Sequence, residues 1–447
     1  MRIRFLIVLG LIGALLAACG STPAAAPTSA PAAPTAAEAP TAAEAPTAAP
    51  APTAAAEPTA AAAPTAAAEP TAAAPTTAAA PTASGAPTAA SSGSTGTVKI
   101  GILAPITGPA ASIGSEQLNF GKLAVEDFNK ANGTSYEMVE GDTQLDPAKA
   151  TDAAQRFAAD NDIYVIVGPA GSQEVLAVAP VLGKVNLGMI SPSATRTDLT
   201  EQGWKNFFRV VPRDDVQGTT DANFMIDQLK AKKVWVIDDQ TAYSTGLRDV
   251  VVKTLEAKGM TVSTDSITQK DTDFSSLVTK MKGDAPDVVF LPWQLANQAA
   301  VFAKQMAEQG VTATIFGSDG LFSAKDFIDG AAGATEGAYV SNFAPDIKSI
   351  AASKPVADAY QAKYGDFTSF GAPTYAAMMV ALEAVQRAQK SGTLSRETVL
   401  AELGKTDQST SVLGTPIKLK ANGDVENASF FLFQVKEGKF VLVTKSS

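Results

Sequence analysis

Cys19 is the only cysteine in this 447-residue chain, and the chain contains no histidine. Without imidazole there is no Ser-His-Asp or Cys-His relay, and the commonest general base is missing. With the one thiol near the start, there is no thiolate zinc site and no disulfide within the chain. No G-x-S-x-G elbow, G-x-x-x-x-G-K-[ST] phosphate loop or Gly-rich dinucleotide fingerprint occurs. Acidic residues are plentiful, so carboxylate-pair hydrolysis stays open in principle, but no two are marked as partners. What remains is binding chemistry. Ser172 falls between a strand-like run and a helix start, where free N–H groups and the helix dipole favour an anion. An N-cap role fits the same position. Asp319 lies in Gly317-Ser318-Asp319-Gly320, a turn in which Asp is common on local grounds alone.

Cys19 has its own context. Arg2 and Arg4 precede an apolar run over 5–16, and Leu16-Ala17-Ala18 leads directly into the cysteine. A basic start, an apolar stretch too short to span a bilayer and small residues at a cut site make an export leader. With cysteine at that position it resembles a lipoprotein signal. The resemblance implies acylation of Cys19 and cleavage after 1–18, giving an exported protein tethered to the cell membrane or envelope through lipid.

Residues 19–97 are almost entirely Ala, Pro, Thr, Glu, Ser and Gly, with Ala-Pro-Thr-Ala-Ala recurring. Such a segment cannot bury enough apolar surface to offset its conformational entropy, and it reads as a disordered stalk. At about 3 Å per residue in polyproline II it reaches on the order of 200 Å at full stretch. The chain's net charge of −10 argues against nucleic acid as a partner.

From 98 onward, short β-branched runs alternate with helical periodicity. Strands are expected at 98–103, 136–140, 163–167, 187–190 and 207–211, with helices at 116–130, 147–159 and 173–182 between them. A second series has strands at 234–237, 261–267, 288–291 and 314–316 and helices at 245–258, 274–282 and 296–309. Helices at 350–364, 375–389 and 396–403 follow, and a hairpin over 430–443 turns at Glu437-Gly438. This order predicts an α/β chain of two Rossmann-like lobes with mostly parallel central sheets, joined by a multi-crossing hinge. Residues 98–213 with 343–412 make one lobe, and 214–342 with 413–447 the other. Ligands in such folds bind at strand carboxyl ends, which places Trp293 and Gln294 at the cleft edge.

Thr107-Gly108-Pro109, Gly114, Gly121 and 129–133 open the head, followed by Val167-Gly168-Pro169 with Ser172 and by 190–195. Tyr243 with Gly246-Leu247, then 317–320, 421–424 and 434–439, continue in one order. The ordered set resembles the leucine/isoleucine/valine-binding protein family, type I periplasmic solute-binding proteins of ABC importers. That resemblance implies an amino-acid ligand and no catalysis. It implies that Ser172 with Ser193, Ala194 and Thr195 receives the ligand carboxylate, that Asp319 receives the ammonium, and that Tyr243 contributes from the second lobe. Ile113 stands where family members often carry an aromatic over the ligand side chain. Further implications are a monomer with no cofactor and no metal, importer membrane subunits as partners, and hinge closure on the ligand. A ligand sensor of the same fold, or a binder of urea, short amides or organic acids, fits the same pattern.

Overall fold

A computed structural model describes residues 97–446. Cys19, the leader over 1–18 and all but the last residue of the 19–97 segment lie outside the described residues.

The first lobe is built on five parallel strands: β1 (Lys99–Ala104), β2 (Glu137–Asp142), β3 (Ile163–Val167), β4 (Gly188–Ser191) and β5 (Phe207–Arg209), in spatial order β2-β1-β3-β4-β5. Helices α1 (Ala111–Asn132), α2 (Pro147–Ala159) and α3 (Ser172–Gly183) make the crossovers. All five β3 residues are buried, as a central parallel strand covered on both faces requires. Start signals are local. Asp146 caps α2 by accepting the Ala148 and Lys149 N–H groups, with Pro147 at the first helical position.

The chain crosses to the second lobe after β5. That lobe contains α4 (Asp214–Asp227), β6 (Lys233–Asp238), α5 (Ala242–Ala257), β7 (Thr261–Ser266), α6 (Ser275–Asp284), β8 (Val288–Leu291), α7 (Ala296–Glu308), β9 (Thr314–Gly317) and β10 (Tyr339–Asn342). Alternation is clean: Trp235 and Ile237 enter the core on one face of this sheet, Val234 and Val236 the other. After β10 the chain returns to the first lobe as α8 (Lys354–Tyr364), α9 (Gly371–Lys390), α10 (Arg396–Leu403) and a small ribbon of β11 (Asp407–Gln408) and β12 (Ile417–Lys418). It ends as the hairpin β13 (Phe431–Lys436) and β14 (Lys439–Lys445), which adds antiparallel to β10 and completes a seven-stranded sheet.

Three differences from the sequence expectations have physical causes. Helix α4 has no counterpart among the expected helices, because its buried face is polar, carrying Asp214, Gln217 and Asp221. Strand β10 was missed because half of it is Ser341 and Asn342, although both are buried. The segment from 413 was assigned to the second lobe, but Leu413, Ile417, Leu419, Val425 and Phe430 lie in the core of the first. The last crossing therefore comes between Phe430 and β13.

A buried ion pair ties the first crossing to that late segment. Arg209 Nε donates to Asp424 Oδ1 at 2.8 Å, with side chains 0% and 5% exposed. Arg213 reaches Asp424 Oδ2 at 3.2 Å, Asn422 Nδ2 at 2.7 Å, and the Thr200 hydroxyl lies 3.0 Å from Oδ1. Burial pushes the Asp424 carboxyl up, but the Arg209 guanidinium and these donors hold it below its ordinary value. Gly423 lets its turn meet β5: with φ of +94°, a Cβ there would stand 2.2 Å from the Phe207 carbonyl oxygen.

Candidate functional site

Between the lobes lies a cleft of about 360 Å³ lined by Ile113, Leu145, Ala170, Ser172, Ser193, Tyr243, Gln294, Asp319, Gly320 and Phe370. Ser172, Ser193, Gln294 and Asp319 follow β3, β4, β8 and β9 respectively, so the lining gathers at the carboxyl ends of parallel strands. A neighbouring space, sharing Ile113, Gln294, Gly320 and Phe370, extends past Ser112, Asn297 and Asp326.

One end of the cleft is acidic. Asp319 Oδ1 accepts from the Tyr243 hydroxyl at 2.6 Å and from Gln217 Nε2 at 2.8 Å. Its Oδ2 has no side-chain partner among the described residues. Burial pushes Asp319 up to about 6 against the pull of these two donors. The Tyr243 phenol is pushed well above its ordinary value, first by burial and then by the Asp319 charge, so it stays a donor. Gly320 lets the turn after β9 pack directly on the segment after β8, since a Cβ there would lie 2.2 Å from the Trp293 carbonyl oxygen.

The other end suits an anion. Helix α3 begins at Ser172, and the N–H groups of Ser172 and Gln173 have no acceptor among the described residues. Among the described residues the Ser172 Oγ accepts only the Arg196 N–H, at 3.3 Å, leaving its own proton free to donate. The N-cap position itself belongs to Gly171, whose N–H bonds back to Glu174 at 2.6 Å. Ser172 is thus not the cap.

Between the two ends the wall is apolar: Ile113, Leu145, Ala170 and Phe370. Glu116 holds the Phe370 loop by accepting the N–H groups of Thr368 and Gly371 at 2.7 and 2.6 Å. Leu145 has φ of +61°, an uncommon left-handed conformation for a branched residue, after Gln144 at +52°. Asp142 braces this turn by accepting the N–H groups of Gln144 and Thr107, each at 3.1 Å. The lobes also touch directly. Gln173 and Gln294 exchange amide hydrogen bonds at 3.0 and 3.3 Å, and Arg196 donates to the Ala242 carbonyl.

Other candidate residues are buried away from the cleft or already engaged within the protein. Trp293 is fully buried in the second lobe, packed on Phe274 and Phe302, with its indole N–H donating to the Ile237 carbonyl at 2.6 Å. Alternation along the segment sends its side chain inward and that of Gln294 to the cleft. The Ser193 hydroxyl is engaged by Gln117 Nε2 and the Ala170 carbonyl, each at 3.0 Å, and the Ala194 N–H by Ser191 Oγ at 3.0 Å. Thr195 lies by the acids: its carbonyl accepts the Asp214 N–H at 2.9 Å, and its buried Oγ1 has no hydrogen-bond partner among the described residues. Leu145, Phe370, Asp214, Gln217 and Asp221 were not foreseen. For the last three a signal existed, namely polar residues at helical spacing i, i+3, i+7. Among the described residues no group of three or more acids is arranged to hold a metal, and no helix is long and apolar enough to cross a membrane.

The family model for periplasmic binding proteins matches residues 97–439. A Leu/Ile/Val-binding protein, BraC3 of Rhizobium johnstonii, is 32% identical over 348 residues, covering 77% of this chain and 93% of that protein. The crystal structure of the leucine-binding protein LivK from Thermotoga maritima superposes with a TM-score of 0.73 at 28% identity, covering 78% of this chain and 99% of that one. The isoleucine complex of LivJ from Streptococcus pneumoniae gives 0.71 at 26% identity, with 78% and 99% covered.

Proposed function

The chain belongs to the periplasmic binding protein family, and on that premise we propose that it captures an aliphatic α-amino acid of the leucine, isoleucine and valine class between its lobes. It is a solute-binding protein of the kind that serves ABC importers, not an enzyme, and works outside the cytoplasm. The observation that carries the ligand reading is the pairing of two poles across one apolar-walled cleft. Asp319, with one oxygen held and the other open, meets an ammonium; the α3 N-terminus with Ser172 meets a carboxylate. Ile113, Leu145 and Phe370 surround the side chain, where each buried methylene is worth about 0.8 kcal/mol. That gradient favours the three- and four-carbon side chains of valine, leucine and isoleucine over the single methyl of alanine.

Hinge closure about the three crossings, hand-over to importer membrane subunits and a monomeric working form belong to the same proposal, as does lipid on Cys19 holding the protein to the membrane. Calorimetric titration with leucine, isoleucine and valine, beside isovalerate and isoamylamine as one-ended analogues, tests the ligand reading. Zwitterions should bind and both analogues should fail. Equal binding of isovalerate would remove the ammonium role of Asp319.

A further inference from the structure

The acidic pole does not stop at Asp319. Behind it, helix α4 presents Asp214, Gln217 and Asp221 on one buried face. Gln217 Nε2 donates to Asp319 and also to Ser341 Oγ at 3.0 Å, and the Ser341 hydroxyl lies 2.8 Å from Asp221 Oδ2. Both oxygens of Asp214, Oδ1 of Asp221, Oε1 of Gln217 and the hydroxyls of Thr195 and Ser318 are buried with no hydrogen-bond partner among the described residues. Acceptors thus outnumber donors in this compartment, and a buried carboxylate lacking a donor or counter-charge keeps its proton.

Resting on the amino-acid reading above, we propose that docking of the ligand ammonium on Asp319 drives a proton off Asp214, so that ligand uptake is coupled to proton release. The ligand keeps its three ammonium hydrogens; the proton leaves the Asp214 carboxyl for the solvent, and the ammonium supplies the counter-charge that makes the second carboxylate tolerable. Every charged neighbour enters the balance. Burial is the largest influence and pushes Asp214 up to about 8; the Asp319 charge adds to it, while the Thr195 hydroxyl, near the carboxyl but outside hydrogen-bond geometry, and the Arg209 and Arg196 charges oppose it. Much of the Arg209 charge is matched by Asp424, and Arg196 is bound to Asp198. Asp221 is held well above its ordinary value by burial, with Asp319 and Asp214 adding to the effect and Ser341 opposing it. Tyr243, on the packed helix α5, remains neutral and donates to Asp319.

Isoleucine titrated into the protein at pH 7 in phosphate and in Tris, whose ionisation enthalpies differ widely, reads the protons released per ligand bound. A substantial fraction of a proton is expected, with affinity rising between pH 6 and 8. Asp214→Asn should release less than about a third as much per mole bound, because the dissociable proton is gone. Asp221→Asn provides a second variant and should keep most of the release. Equal heats in the two buffers for wild type that binds isoleucine overturn the coupling and leave the amino-acid reading standing. Unchanged release in Asp214→Asn overturns the assignment to that residue. Failure of isoleucine, leucine and valine alike to bind overturns both.

Discussion

Two buried charged regions lie a few residues apart in the chain and are satisfied to opposite degrees. At the crossing, Arg209, Arg213, Thr200 and Asn422 all converge on Asp424, whose two oxygens each have at least two partners. On α4, which starts immediately after Arg213, Asp214 has no partner for either oxygen. Desolvation is severe in both places, but only the first is compensated inside the protein. A charge network that closes on itself has nothing left for a ligand and serves to hold the crossing. One that stays short of donors holds its carboxyls protonated and leaves acceptors unmet. Burial alone does not separate the closed network from the open one here; the count of unmet acceptors does.

The contrast breaks most easily at the crossing. Asp424→Ala leaves Arg209 buried without a counter-charge and should cost about 3–5 kcal/mol in urea unfolding, whereas the double replacement Arg209→Met, Asp424→Leu should recover much of that. A loss under about 1 kcal/mol would put the pair in the same class as exposed ones.

Asp319→Ala should do the reverse. Leaving the ligand ammonium unpaired costs about 2–5 kcal/mol of binding, roughly 30-fold or more in affinity. The ligand-free protein should melt no lower at pH 7, since a carboxyl raised by burial is removed. Ser172→Ala, at the opposite pole, removes a hydroxyl donor to a charged acceptor and should cost about 1.5–3 kcal/mol of isoleucine affinity by calorimetry, with unfolding unchanged.

The smallest effect sharpens the comparison through pH. Asp214 and Asp319 have folded values raised to about 8 and about 6, so the folded state holds more protons than the unfolded one above pH 4. Their contribution to stability is present below the unfolded values and lost as pH rises through 6 and then 8. Ligand-free wild type should therefore lose melting temperature from pH 5 to pH 9. Asp214→Asn should flatten the upper part of that decline, gaining roughly 2–4 °C on wild type at pH 9 relative to pH 5. Parallel curves would show that Asp214 is ionised in the folded protein throughout.

The legible parts of the chain were those where burial and apolarity coincide. The span of α2 and those of β3 and β8 follow from periodicity, because their inward faces are Ala, Val, Ile, Leu and Phe. Where a buried face is polar, as on α4 and at Ser341 and Asn342 of β10, apolar periodicity has nothing to detect. Gln217, Ser341 and Asp221 among them are linked by hydrogen bonds to Asp319, so the elements hardest to read are the ones behind the acidic end of the cleft. Ser172 and Asp319 stand out locally as a hydroxyl and an acid after predicted strands and Tyr243 came only through the family resemblance, whereas Phe370 enters from a loop tied down by Glu116, 254 positions earlier, and no local pattern announces it. Trp293 misled because position at a strand end fixes where the backbone goes, while the pleat decides which neighbour faces out.

The direct bonds between the lobes, Gln173 with Gln294 and Arg196 with the Ala242 carbonyl, include no ion pair across the cleft. A neutral hydrogen bond contributes only about 0.5–1.5 kcal/mol net, since water competes for both partners. Such a clasp is too weak to set a long dwell time by itself. Under the proposed hinge closure, the residence time of the shut form would then be governed by the occupant, so that a loaded protein would differ from an unloaded one in lifetime as well as in shape.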